Sequence, residues 1–189
     1  MRLSIVFLLA LAALGGCARS NGEGNQGSEA ANAPAAAGQV TGVLDRSHAG
    51  TPAPSFTFED ANGQPTSMAA FRGRPALVNL WATWCAPCII EMPSLDALAE
   101  REGDSLQVVA LSQDLDGREL VTRFFAERDF RLLEANLDPD MRFMMELGLG
   151  TLPTTILYDA EGREVWRMVG LADWDSERVA RLLDEADGG

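Results

Sequence analysis

Two of the three cysteines in this 189-residue chain, Cys85 and Cys88, stand two residues apart in "LWATWCAPCIIEMP", Leu80 to Pro93. A C-x-x-C pair can supply half of a zinc site, form an inert bridge, or cycle between dithiol and disulfide. Structural zinc needs two further Cys or His ligands, and the folded segment offers none: Cys17 and the single histidine, His48, both precede it. Small exported domains that use disulfides as staples carry several, at longer spacings. Redox cycling is the chemistry left ahead.

The elements around the pair support that reading. "PALVNLWA", Pro75 to Ala82, is an almost unbroken apolar run, as expected of a buried central strand. A helix that begins near Cys85 would put the first thiol at its N-terminus. Unpaired N–H groups and the helix dipole stabilise a thiolate there. Cys85 is therefore the expected nucleophile, and Cys88, about one turn on, the resolving thiol that leaves a Cys85–Cys88 disulfide. Pro87 falls in the first helical turn, where its missing N–H costs little. Pro93 falls in the interior and is expected to kink the helix. Trp84 is read as part of the rim beside Cys85, with plain packing as the competing role.

Along the rest of the chain, "SFTFED" with Asn62-Gly63 predicts an N-terminal hairpin. Leu106 to Ser112 reads as a second buried strand, and Leu120, Val121, Phe124 and Phe125 recur at helical spacing. "RLLEANLD" is strand-like, "DPDMRFMMELG" a short helix, and "TTILYD" with "EVWRMVG" a hairpin. Asp175 to about Ala186 reads as a last helix that buries Val179, Leu182, Leu183 and Ala186. In the helix after Cys88, Leu95, Leu98 and Ala99 are expected on one buried face and Asp96 elsewhere. The order predicts an α/β fold: a mixed sheet with helices on both faces, plus the N-terminal β-hairpin extension.

"VNLWATWCAPCIIEMPSL" together with "GLGTLPTTILYDAEGREVWRMVG" resembles the TlpA/ResA-like branch of the thioredoxin superfamily. The resemblance runs from about Thr51 to Ala186. It implies a thioredoxin-like fold and a thiol–disulfide oxidoreductase of the bacterial envelope. It also implies that Glu91, three residues after Cys88 on the same helical face, moves protons to and from the pair. A partly buried carboxylate has a raised pKa suited to that task. Asn79 stands where thioredoxins often carry a buried acid. The resemblance makes Leu152-Pro153 the cis-proline loop opposite the cysteines, so that Trp84, Pro87, Leu152 and Pro153 line the substrate site. Family members serve cytochrome c maturation, copper-site assembly or general envelope redox control.

The N-terminus reads as an export signal. Leu3 to Leu14 is a 12-residue apolar run, short of the ~20 residues that span a bilayer. "LGGC", Leu14 to Cys17, resembles the lipobox of bacterial lipoproteins. That implies a signal peptide over residues 1–16 and lipid on Cys17, with the bilayer as a partner. Ala18 in the second mature position points by analogy to the outer membrane. The polar, Ala- and Gly-rich residues 17–50 read as a flexible tether, with a span of roughly 30 Å. The thioredoxin-like domain is placed at 51–187, facing the periplasm.

The chain has 15 basic residues, all Arg, against 28 acids, for a net charge of −13. A basic stripe for nucleic acid is not in view. The cysteine pair itself stores two electrons, so no organic cofactor or metal is expected. The expected partners are disulfide-containing envelope proteins and a membrane thiol donor. Two other activities fit these residues less well. Peroxide reduction calls for P-x-x-x-T-x-x-C, but Val78 and Ala82 occupy those places before Cys85. Cu(I) handling would draw on the thiolates and on Met141, Met144 and Met145, which at helical spacing read better as core filler.

Overall fold

The structure, a computed structural model, describes residues 41–187. The signal segment, Cys17 and the tether as far as residue 40 lie outside the described residues. Among the described residues no helix is long and apolar enough to cross a membrane.

The apolar run before the cysteines forms the strand β4, Ala76–Trp81, and all six of its residues are buried. It can be apolar on both faces because it lies between two partners. Strand β5, Gln107–Ser112, pairs with it in parallel, and β7, Thr154–Tyr158, pairs antiparallel on the other side. The remaining strands are β1 (Val43–Asp45), β2 (Phe58–Glu59), β3 (Pro65–Thr66), β6 (Asn136–Leu137) and β8 (Glu164–Val169). The order across the sheet is β1-β8-β7-β4-β5-β6-β2-β3.

Alternation along the strands divides the core in two. Leu77, Trp81, Ala110, Leu157 and Trp166 point to one face. There they meet α1 (Ala86–Glu102), α2 (Arg118–Ala126) and α4 (Glu177–Leu183). Val78, Leu80, Val109, Leu111 and Ile156 point to the other face, against Phe56, Phe58 and α3 (Arg142–Glu146). Burying each such side chain contributes about 1.5–3 kcal/mol. This mixed sheet with helices on both faces matches the expected fold class, and β2–β3 is the expected hairpin, with Asp60 Oδ1 accepting from the Asn62 and Gln64 N–H groups across its turn.

Several boundaries differ from the sequence reading. Part of the segment read as tether is a strand: Val43–Asp45 pairs antiparallel with β8. Its composition hides this, because an edge strand of three residues needs little apolar periodicity. "RLLEANLD" is a strand only at Asn136–Leu137. The N–H groups of Arg131, Leu132 and Leu133 are instead taken by the Asp96 carboxylate. Asp96 is accordingly buried, not on the solvated face. Burial opposes its charge, but those three N–H groups and the Arg131 cation hold its carboxyl below the usual range. The last helix begins at Glu177, where the Ser176 hydroxyl caps the Val179 N–H, and tightens to a 3-10 turn at Asp184–Asp187. Leu183, expected in the core, is half-buried.

Candidate active site

Cys85 is the N-cap of α1, with extended backbone, and its Sγ accepts the Cys88 N–H at 3.4 Å. Strand β4 ends at Trp81, and a turn closed by the Cys85 N–H to Ala82 O bond (3.0 Å) carries the chain into the helix. Cys85 and Cys88 are joined as a disulfide, with Cα atoms 5.3 Å apart. Cys85 keeps 5% of its surface exposed and Cys88 none, so the first cysteine of the pair is the one that solvent can reach. Trp84 is 66% exposed. It therefore stands free beside Cys85 rather than in the core. Pro87 is also exposed, at the second position of the helix.

The Leu152-Pro153 peptide bond is cis. Pro153 is buried and Leu152 half-buried, and Leu152 touches the cores of both sheet faces. Helix α1 continues through Pro93.

Behind the disulfide lies Glu91, 2% exposed. One carboxylate oxygen accepts from Asn79 Nδ2 at 2.7 Å and the other from the Ala172 N–H at 3.0 Å. Asn79 Nδ2 also donates to Thr155 Oγ1 at 2.8 Å. Burial pushes the Glu91 carboxyl up from 4.5 to about 7, against the pull of the Ala172 N–H, the Asn79 amide and the Trp174 side chain. The Trp174 indole N–H acts from outside hydrogen-bonding range, since among the described residues it has no acceptor. A group with this pKa holds or releases a proton at neutral pH, next to a thiol that must do the same.

A second buried carboxylate supports the front of the site and was not singled out from the sequence. Asp114, fully buried, accepts from the Thr83 N–H (2.9 Å) and Thr83 Oγ1 (2.7 Å), two residues before Cys85. Ser112 Oγ donates to it as well, at 2.7 Å. The available signal was a polar "SQD" at the carboxyl end of a buried parallel strand, where ligand-facing groups collect in such sheets.

Of the methionines of the copper alternative, Met141 and Met144 belong to the core on the sheet face away from the cysteines. Met144 is buried and Met141 half-buried, but Met145, expected as core filler, is exposed because the five-residue α3 has only one covered face. Among the described residues no group of three or more His, Cys, Asp or Glu side chains is placed to hold a metal ion.

The Redoxin family matches residues 48–183.

The chain belongs to the Redoxin family.

The Redoxin domain is 33% identical over 144 residues to the thiol:disulfide interchange protein DsbE of Pseudomonas fluorescens biotype C, covering 72% of this chain and 79% of that one. It is 28% identical over 122 residues to the thiol-disulfide oxidoreductase ResA of Bacillus thuringiensis (strain Al Hakam), covering 64% and 69%. The crystal structure of a thiol:disulfide interchange protein of the thioredoxin family from Chlorobium tepidum TLS superposes with a TM-score of 0.59 at 25% identity, covering 73% of this chain and 97% of that one. The protein is a thiol–disulfide oxidoreductase with a thioredoxin-like fold, and Cys85–Cys88 is the cysteine pair positioned for that chemistry.

Proposed function

We propose that this Redoxin protein is a lipid-anchored, envelope-facing reductant of protein disulfides. The observation that carries the reading is Cys85 at the N-cap of α1, its Sγ accepting the Cys88 N–H, as the cysteine of the pair that keeps some exposed surface while Cys88 and Glu91 are buried. The Cys85 thiolate attacks one sulfur of the substrate disulfide, forming a mixed disulfide and expelling the other substrate sulfur as a thiolate, which takes a proton from water. The Cys88 thiol gives its proton to the Glu91 carboxylate. The Cys88 thiolate then attacks Cys85 Sγ, and the second substrate sulfur leaves as a thiolate that takes a proton from water, to which Glu91 gives up the proton it received. The substrate gains two electrons and two protons, and the Cys85–Cys88 bond is restored. A membrane dithiol donor returns the pair to its reduced state by the same exchange.

The exposed Trp84 and Pro87 and the Leu152-Pro153 loop form the surface on which an extended substrate segment rests. Anchoring rests on the apolar run that ends in "LGGC", with Cys17 as the lipid-bearing residue. Substrates in this reading are envelope proteins with a reducible cysteine pair, such as an apocytochrome c or a copper-site protein.

Full-length Cys88→Ala expressed in intact cells tests the reading. It should accumulate mixed disulfides with a small set of envelope proteins, and Cys17→Ser should move the protein from the membrane to the soluble envelope fraction. A folded Cys88→Ala protein that traps no partner would rule out the reductase reading, and an unchanged Cys17→Ser fractionation would rule out the anchor.

A further inference from the structure

The segment after β8, Gly170 to Trp174, reaches the cis-proline loop, Glu91 and the helix that carries the cysteines. The Gly170 N–H donates to Pro153 O at 2.9 Å, the Ala172 N–H to Glu91 Oε2 at 3.0 Å, and the Trp174 N–H to Ser94 Oγ at 3.4 Å. Its outer side is gripped by the residues that lead into β1. Both the Thr41 N–H (3.0 Å) and the Gly42 N–H (2.8 Å) donate to Leu171 O.

Leu171 C=O and Ala172 N–H are the two ends of one peptide unit. That unit is planar and stiff, and in the trans form its C=O and N–H point in opposite directions. It is therefore a strut, held at its oxygen by the N-terminal segment and delivering its N–H to the Glu91 carboxylate. Two donors on the oxygen also polarise the amide and strengthen the N–H as a donor.

Residue type at position 42 fits this role. A Cβ there would meet Met168 Cγ at 2.7 Å, Met168 Sδ at 3.0 Å and Gly170 O at 3.1 Å. Met168 is fully buried and cannot yield freely. On the facing side Gly170 has a φ of +103°, and a Cβ on it would come within 3.3 Å of Gly42 Cα. Only a pair of glycines allows the two backbones so close.

We propose that Thr41 and Gly42 are positioning residues of the redox site, holding the Leu171-Ala172 peptide so that its N–H stays on the Glu91 carboxylate. The inference rests on Glu91 being the proton holder. The groups that face Glu91 are Asn79 from β4, with Thr155 of β7 behind it, Ala172 and Trp174 from the loop, and Cys88 on its own helix. No charged side chain among the described residues acts on it. The Ala172 N–H is thus one of its two direct hydrogen bonds, and weakening it should favour the protonated acid.

The test is an infrared titration of the carboxylic-acid band in the oxidised full-length protein, where the cysteines do not titrate. Glu91→Gln identifies the band. Gly42→Ala pushes the strand away from β8, and Thr41→Pro deletes one donor without adding a group at position 42. Arg46→Ala is the control: it cuts the Arg46–Glu185 ion pair at the far end of β1 and leaves Leu171 untouched. The Glu91 midpoint should rise by about one pH unit, a tenfold change in the dissociation constant, in Gly42→Ala. It should rise by less in Thr41→Pro and stay fixed in Arg46→Ala. An unmoved midpoint in both variants, with only a lowered Tm, would overturn the inference and leave Glu91's role intact. If Glu91→Gln removes no titrating band, the proton-holder reading falls and this inference with it.

Discussion

Replacing Glu91 with Gln should change how stability depends on pH, in a direction set by the sign of its shift. The Glu91 carboxyl has a value of about 7 in the folded protein against 4.5 for the free group. A folded value above the unfolded one means that the native state holds a proton the unfolded chain has already lost. The contribution is complete below about 4.5 and is lost as pH rises through about 7. Between those values the slope is about −1.4 kcal/mol per pH unit, which accumulates to about 3 kcal/mol. Gln cannot ionise and keeps one oxygen to accept a hydrogen bond. The difference between Glu91→Gln and the natural protein should therefore move in favour of the variant by about 3 kcal/mol between pH 4.5 and pH 8. Urea unfolding of both oxidised proteins at half-unit steps of pH measures this through the midpoint, with the m-value unchanged. Parallel stability curves would show that Glu91 does not ionise in this range and would refute the argument from its burial.

Other perturbations separate support from chemistry. Trp84→Ala should raise KM for a protein disulfide several-fold while leaving kcat and, within about 0.5 kcal/mol, stability unchanged, because the ring is exposed; steady-state kinetics and melting check this. Asp114→Ala strands the Thr83 N–H and the Thr83 and Ser112 hydroxyls. It should cost about 2–4 kcal/mol and slow the attack by Cys85, read by denaturation and stopped-flow exchange. Arg167 makes a bidentate pair with Glu164, both bonds 2.6 Å and both side chains buried. Arg167→Ala should cost about 3–5 kcal/mol by stranding the Glu164 carboxylate, whereas the double change Arg167→Met with Glu164→Leu should cost far less.

What the sequence made legible follows from how local the cause was. The buried strand β4 and the helix start at Cys85 are each written within a few residues, as an apolar run and a cap, whereas Glu91 stood out only through the family resemblance. The grip of Asp96 on the 131–133 backbone and of Asp114 on Thr83 joins residues more than thirty positions apart. Such an aspartate reads as a surface charge until the chain is folded. Strand β1 was hidden for a related reason. Its partner, β8, lies more than 120 residues downstream, and three residues of edge pairing leave almost no pattern. Glu164–Arg167 is the inverse case: two charges in a strand read as solvent-facing, yet each removes the other's need for water.

The central claim, that Cys85 attacks and Cys88 resolves, is tested most directly by peptide mapping. The reduced Cys88→Ala and Cys85→Ala proteins are each mixed with a disulfide-bonded protein and quenched in acid. The account predicts a stable mixed disulfide on Cys85 in Cys88→Ala, and none on Cys88 in Cys85→Ala, since Cys88 is fully buried. A mixed disulfide that forms on Cys88 as readily as on Cys85 would contradict it.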